Sequence, residues 1–222
     1  MINKQKPKTS NAVPLEALIE PIFSTPKIVG ICADIGQGKS NMIYAMLHYL
    51  QTKFNFTEKN LYTYALPLSV GQRMIFSVEE LELIEDSLIV LDEFFLFLNL
   101  DDRKRVKQLA EMMQRIKHAN NVLVLCGLPH NFNKFISSQL SLKIYKQTTI
   151  KNLINGSPMK DVVAAYNGSE KGSTILRLPP DQALVYGLEG ASTGIPHYTL
   201  TNVPFMKEFD VKASLPPILV PR

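Results

Sequence analysis

The chain has 222 residues, of which 45% are hydrophobic and 20% charged, and it carries a formal net charge of +4. That size and apolar content suit one domain with a full core, alone or with an extension. No apolar run approaches the roughly 20 residues of a membrane span, and Met1 to Val13 lacks the apolar centre of a secretory signal peptide, so the expectation is a protein kept in a cytoplasm. The mild basic balance suits nucleic acid and an ordinary soluble protein equally. Two cysteines, Cys32 and Cys126, fall in apolar runs without metal-ligand spacing and read as buried, inert thiols.

Residues 1–13 are polar, with Lys4, Lys6 and Lys8, and read as a flexible basic arm. Pro14 to Glu20 reads as a short helix, with Pro14 in its first turn and Pro21 beyond its end. Lys27 to Cys32 reads as an apolar strand. It runs into Ala33-Asp34-Ile35-Gly36-Gln37-Gly38-Lys39-Ser40 and then into a helix to about Lys53, in which Ile43, Leu47 and Leu50 form one apolar face. Strand, glycine loop and helix make the context of a phosphate-binding loop. Gly36 and Gly38 permit the dihedrals that wrap backbone N–H groups around phosphate oxygens, and the helix N-terminus faces the anion. Lys39 supplies a cation for the β and γ phosphates, and the Ser40 hydroxyl can ligate Mg²⁺. The usual pattern is G-x-x-x-x-G-K-[ST], and Ala33 replaces its first glycine. Alanine still fits a tight strand exit at negative φ.

Leu61 to Ala65 reads as a second strand and Leu66 to Phe76 as loop. Ser77-Val78-Glu79-Glu80 has capping-box spacing before a short acidic helix. Ser87 to Glu93 is the second chemical motif: a buried parallel strand with two carboxylates at its C-terminal edge, where open α/β sheets bind ligands. Asp92 would hold Mg²⁺ through a water, and Glu93 would polarise the water that attacks the γ-phosphate. Phe94 to Leu98 packs in the core or forms a subunit contact. Asp101 or Asp102 can cap a helix to about His118, with Val106, Leu109, Ala110, Met113 and Ile116 as its buried stripe. The cluster Arg103, Lys104, Arg105 and Lys107 is either a solvated face or serves DNA or a neighbouring subunit.

Asn121 to Cys126 reads as a fourth strand, with Gly127-Leu128-Pro129-His130-Asn131 at the ligand edge. His130 and Asn131 are candidates to sense the γ-phosphate, or His130 is a loop residue with no nucleotide contact. Phe132 to Leu140 suggests a short helix, and Leu142 to Tyr145 starts a fifth strand. Beyond about residue 141, Asn155-Gly156, Asn167-Gly168 and Gly190 punctuate β-like runs at Val162 to Tyr166, Thr174 to Leu178 and Ala183 to Tyr186. This half should be β-rich, partly antiparallel and continuous with the first sheet. The expected organisation is an arm over 1–13, one domain over 14–204 and an extended proline-containing tail over 205–222.

The motif order resembles the FtsK/HerA superfamily of P-loop motor ATPases. The likeness rests on Ile28 to Asn41, Leu88 to Glu93, the helix and strand from Gln114 to Cys126, and Leu178 to Gly187, where the family has a late β-hairpin. The compact size is most similar to genome-packaging ATPases of membrane-containing icosahedral viruses, including turreted archaeal viruses. The resemblance implies an ASCE/RecA-like α/β fold, a mostly parallel sheet flanked by helices. It also implies ATP and Mg²⁺ as cofactors, with the nucleotide on residues 33–41, Asn41 included. Double-stranded DNA would be the partner of a pentameric or hexameric ring, at a viral capsid or portal vertex, in the host cytoplasm or with the virion. It places the fourth strand between the first and third, so Cys32 and Cys126 should lie on adjacent strands near one edge.

Two departures stand out. The family carries a glutamine after the fourth strand, where this chain has Leu128-Pro129-His130. It also often has a trans-acting arginine just before that strand, and Lys117 stands nearest its place. Lysine lacks the planar fork of arginine, while Arg103 and Arg105 should sit nearer the phosphate level. The rivals are a related superfamily ATPase in conjugation, plasmid maintenance or phage assembly, and a non-hydrolysing nucleotide-dependent scaffold.

Overall fold

The computed structural model describes residues 12–24, 27–54, 60–66, 73–98, 103–132, 134–147, 178–187 and 198–206. The expected arm up to residue 11, the Asp101 and Asp102 caps, the side chains of Val106, Leu109 and Ala110, the Asn-Gly turns, the runs Val162 to Tyr166 and Thr174 to Arg177, and the prolines from Lys212 onward lie outside the described residues.

The order is β1 (Val13–Pro14), α1 (Leu15–Phe23), β2 (Lys27–Cys32), α2 (Lys39–Phe54), β3 (Leu61–Tyr64), β4 (Arg73–Met74), α3 (Val78–Leu81), β5 (Leu88–Leu91), α4 (Phe94–Leu98), α5 (Arg103–His118), β6 (Val122–Gly127), α6 (Lys134–Gln139), β7 (Leu142–Tyr145), β8 (Gln182–Tyr186) and β9 (Tyr198–Asn202). These strands form one nine-stranded sheet in the order β1-β9-β8-β7-β2-β6-β5-β3-β4. Strands β7 to β4 in that order are mutually parallel. β8 is antiparallel to both β7 and β9, and β1 closes the far edge parallel to β9. The fourth predicted strand, β6, lies between the first and the third as the resemblance implied.

The central strands are apolar because both faces are covered. Val29, Ile31, Val90, Val124 and Cys126 face α1 and α2. Their alternates Ile28, Cys32, Ile89, Leu91, Leu123 and Leu125 face α4, α5 and α6. The register opposes Cys126 to Ile31, so Cys32 sits one position on and points to the other face. Both thiols are free and buried.

Several local readings change. Pro21 lies inside α1, not beyond its end. A proline there forfeits one intrahelical hydrogen bond, but Leu18, Ile19 and Ile22 are fully buried around it and hold the turn. In α2, every residue from Met42 to Leu47 is buried, rather than a single face. Helix α1 covers one side, and Val203 and Met206 join the same core. The expected loop before Phe76 contains β4, whose Arg73 and Met74 are exposed and give no apolar signal. Val13, read as the end of the arm, pairs with Thr201 instead. Ser77 caps α3 as expected, accepting from Glu80 N–H at 3.4 Å, but the return bond of a capping box is displaced by one residue: the Glu80 carboxylate accepts from Phe76 N–H at 3.2 Å. The Phe94 to Leu98 run divides, with Phe94 and Phe97 buried and Leu96 exposed. In α5, Met113 and Ile116 are buried as expected and Met112 joins them.

Candidate nucleotide-binding site

The parallel strands β2 and β6 are neighbours, but the chain goes on from β2 toward β3 on one side of the sheet and from β6 toward β7 on the other. The connection from β2 leaves over one face through α2, and that from β6 leaves over the other through α6, so a crevice opens at their C-terminal edge. Ala33 is fully buried at the end of β2, and its N–H donates to Gly127 O at 3.4 Å. The chain then turns, with Gln37 N–H donating to Asp34 O at 3.3 Å. Gly36 at φ 76° and Gly38 at φ 77° adopt the left-handed conformation that favours glycine. No atom lies within 4 Å of where a Gly36 Cβ would stand, and Ile35 at the tip is 81% exposed. Helix α2 starts at Lys39, and Met42 N–H closes its first turn on Gly38 O at 3.0 Å.

The acidic pair arrives from β5. Ser40 Oγ donates to Asp92 Oδ2 at 2.8 Å, and Glu93 N–H donates to Asp92 Oδ1 at 3.1 Å. Asp92 is buried, and its own N–H donates to Tyr64 O at 3.0 Å. Its charge adds to burial in pushing the Tyr44 hydroxyl up to about 12, and burial together with Asp92 raises the Cys126 thiol. Glu93 stands at φ 52°, a backbone conformation costly for a side-chain-bearing residue. Its Oε1 lies 3.7 Å from Lys39 Nζ. The two motifs, about fifty residues apart, therefore meet at one point.

The Gly127 edge ends in a 3-10 turn over Pro129–Asn131. His130 is exposed there, whereas Asn131 is buried. Its Nδ2 has no hydrogen-bond partner among the described residues. A buried amide donor left unmade is costly, and this one sits on the edge between β2 and β5. Asn41 is engaged elsewhere: its Nδ2 donates to Pro204 O at 2.9 Å, and its Oδ1 accepts from Met206 N–H at 2.9 Å. Helix α5 runs from the C-terminal edge of the sheet to the opposite one, so Arg103 and Arg105 start on the loop's edge and Lys117 ends about 20 Å away. The side chains of these three lie outside the described residues.

One residue was missed. Lys146 follows β7 and is 1% exposed. Its Nζ donates to Pro180 O at 2.7 Å and would lie 3.7 Å from a Gly38 Cβ. Burial lowers its pKa to about 8, with Asp181 opposing the shift. The only signal in the sequence is a lysine directly after an apolar strand. A cavity of about 250 Å³ lies at the other end of the sheet, lined by Glu20, Leu50, Asp86 and Leu88, away from this chemistry.

The donor set fits a nucleoside triphosphate and Mg²⁺: a glycine cradle, a lysine, a serine hydroxyl on a carboxylate, and an unpartnered amide. The sheet and its glycine loop have the α/β architecture of a P-loop fold. No family model matches the chain, and no curated protein matches it. Among solved structures, the DNA-packaging ATPase B204 from Sulfolobus Turreted Icosahedral Virus aligns with a TM-score of 0.53 at 14% identity, over 79% of this chain and 97% of its own. The genome packaging NTPase B204 from Sulfolobus turreted icosahedral virus 2, in complex with ATPγS, aligns at 0.54 and 15% identity, over 81% and 98%. The pCW3 conjugation coupling protein TcpA, with ATPγS, aligns at 0.53 and 12%, over 86% of this chain and 63% of that one. The chain therefore has the α/β fold of these packaging and coupling ATPases, in agreement with the FtsK/HerA resemblance.

Proposed function

We propose that this chain is an Mg²⁺-dependent ATPase that assembles as a homo-oligomeric ring and drives double-stranded DNA, packaging a viral genome at a capsid or portal vertex. The carrying observation is the meeting of loop and acidic pair, Ser40 on Asp92 and Lys39 beside Glu93. Backbone N–H groups of residues 34–38 and the N-terminus of α2 hold the phosphates, with Lys39 neutralising the β and γ groups. Bound Mg²⁺, held by Ser40 and by Asp92 through water, supplies charge neutralisation across the terminal phosphates. Glu93 accepts a proton from the attacking water. Asn131, with its free amide donor, serves as the phosphate sensor in place of the family's glutamine, and His130 does not. A cation from the next subunit stabilises the transferred group. Arg103 and Arg105, on the loop's edge, are preferred to Lys117.

The likeness to a conjugation coupling protein favours a second reading, a DNA-handling ATPase outside packaging. ATP turnover measured with and without duplex DNA, alongside oligomer mass, tests the proposal. DNA-stimulated turnover by a ring supports both readings, and association with capsid components selects packaging. Nucleotide binding without turnover would instead identify a scaffold.

A further inference from the structure

The acidic pair fixes which way a bound nucleotide must lie. Asp92 and Glu93 follow β5, on one side of β2 in the strand order. A terminal phosphate between Lys39 and Glu93 leaves the nucleoside to run the other way, toward β7, β8 and the segment after β9. That segment is nailed down almost residue by residue. Val203 is buried, and its N–H donates to Asp181 O at 2.6 Å. Pro204 O and Met206 N–H are both taken by the Asn41 carboxamide, and Met206 is buried. Between them Phe205 stands 66% exposed. An exposed aromatic ring on a backbone fixed on either side is set up for stacking against a flat ligand. Asn41 lies next to Ser40, so this platform is tied to the start of the phosphate-binding helix itself.

We infer that Phe205 is the base platform of the site, stacking on the purine of the nucleotide whose phosphates occupy residues 34–40. The inference rests on the nucleotide reading above. Stacking on a ring face reads aromatic area rather than hydrogen-bond pattern, so ATP and GTP bind alike. Asn41 acts as a positioning residue that holds the platform.

The chain contains no tryptophan, so Phe205→Trp introduces a single indole reporter. Titration with ATP and GTP should quench its emission. Inorganic tripolyphosphate should compete with ATP yet leave the emission unchanged. Phe205→Ala should bind ATP about tenfold more weakly while keeping its tripolyphosphate affinity, since losing one stacked base costs on the order of a factor of ten. Unchanged ATP affinity in Phe205→Ala, or equal loss of both ligands, overturns the inference. A wild-type chain that binds neither ligand overturns the phosphate-loop reading instead, and the two failures are distinguishable.

Discussion

Glu93 combines a left-handed backbone with an ion-pair distance to Lys39. Strain of about 1–3 kcal/mol persists only where the surroundings fix it, and here the pinned Asp92 before it and the start of α4 after it do so. Glu93→Gln keeps size and backbone but cannot take a proton. It should lower ATP turnover at least about a hundredfold while leaving nucleotide affinity within about threefold, as read from steady-state kinetics and equilibrium binding; wild-type turnover would remove Glu93 from the chemistry. Lys39→Ala should weaken nucleotide binding itself. Lys146 poses the opposite balance, a buried amine whose pKa falls from 10.5 to about 8 in the fold. Its folded value lies below its unfolded one, so the unfolded chain binds more protons between those limits. The cost of burying the charge is therefore full below about pH 8 and is relieved as pH rises through the window. Lys146→Met should raise stability by about 1–3 kcal/mol near pH 7 and by much less near pH 10, measured by urea unfolding at both. The same variant should bind nucleotide more weakly, because the amine lies against Gly38. A variant less stable than wild type near pH 7 would show that the Pro180 hydrogen bond outweighs burial.

At the scale of elements, the turn after β8 is the most sharply constrained. Gly187 has φ 102°, and a Cβ there would lie 2.8 Å from Ser141 O, a backbone atom that cannot rotate aside. Gly187→Ala should cost about 2 kcal/mol or more, seen as a melting temperature lowered by several degrees; an unchanged melting curve would show that the β7–β8 junction shifts freely. The β2–β6 register makes a separate prediction. Cys32 and Cys126 point to opposite faces of the sheet and are buried, and burial raises both thiols. Neither should react with a thiol reagent in the native state, and both should react after denaturation. Rapid native labelling would place one of them at the surface.

For the whole molecule, the proposed movement of DNA would require a grip on phosphates rather than bases. Duplex affinity should then fall steeply with salt, by a log–log slope of about −0.9 per neutralised phosphate, with little dependence on sequence. A salt titration on two unrelated duplexes checks this, and salt-insensitive binding would count against a translocase. No helix among the described residues is long and apolar enough to cross a membrane.

The glycine turn and the acidic pair beside it were legible in the chain because each is local: glycines where φ is positive, carboxylates directly after an apolar run, and a lysine and serine opening a helix. The parallel core was legible too, since strands covered on both faces read as unbroken apolar stretches. The partners of polar groups were not. Asn41 meets Met206 across 165 positions, Lys146 meets Pro180 across 34, and Val13 pairs with Thr201. Hydrophobic patterning records whether a residue is buried, and it does not record against what. Only the assembled sheet brings the segment after β9 onto α2, puts an amine under the glycine turn, and leaves Asn131 with a buried donor to satisfy.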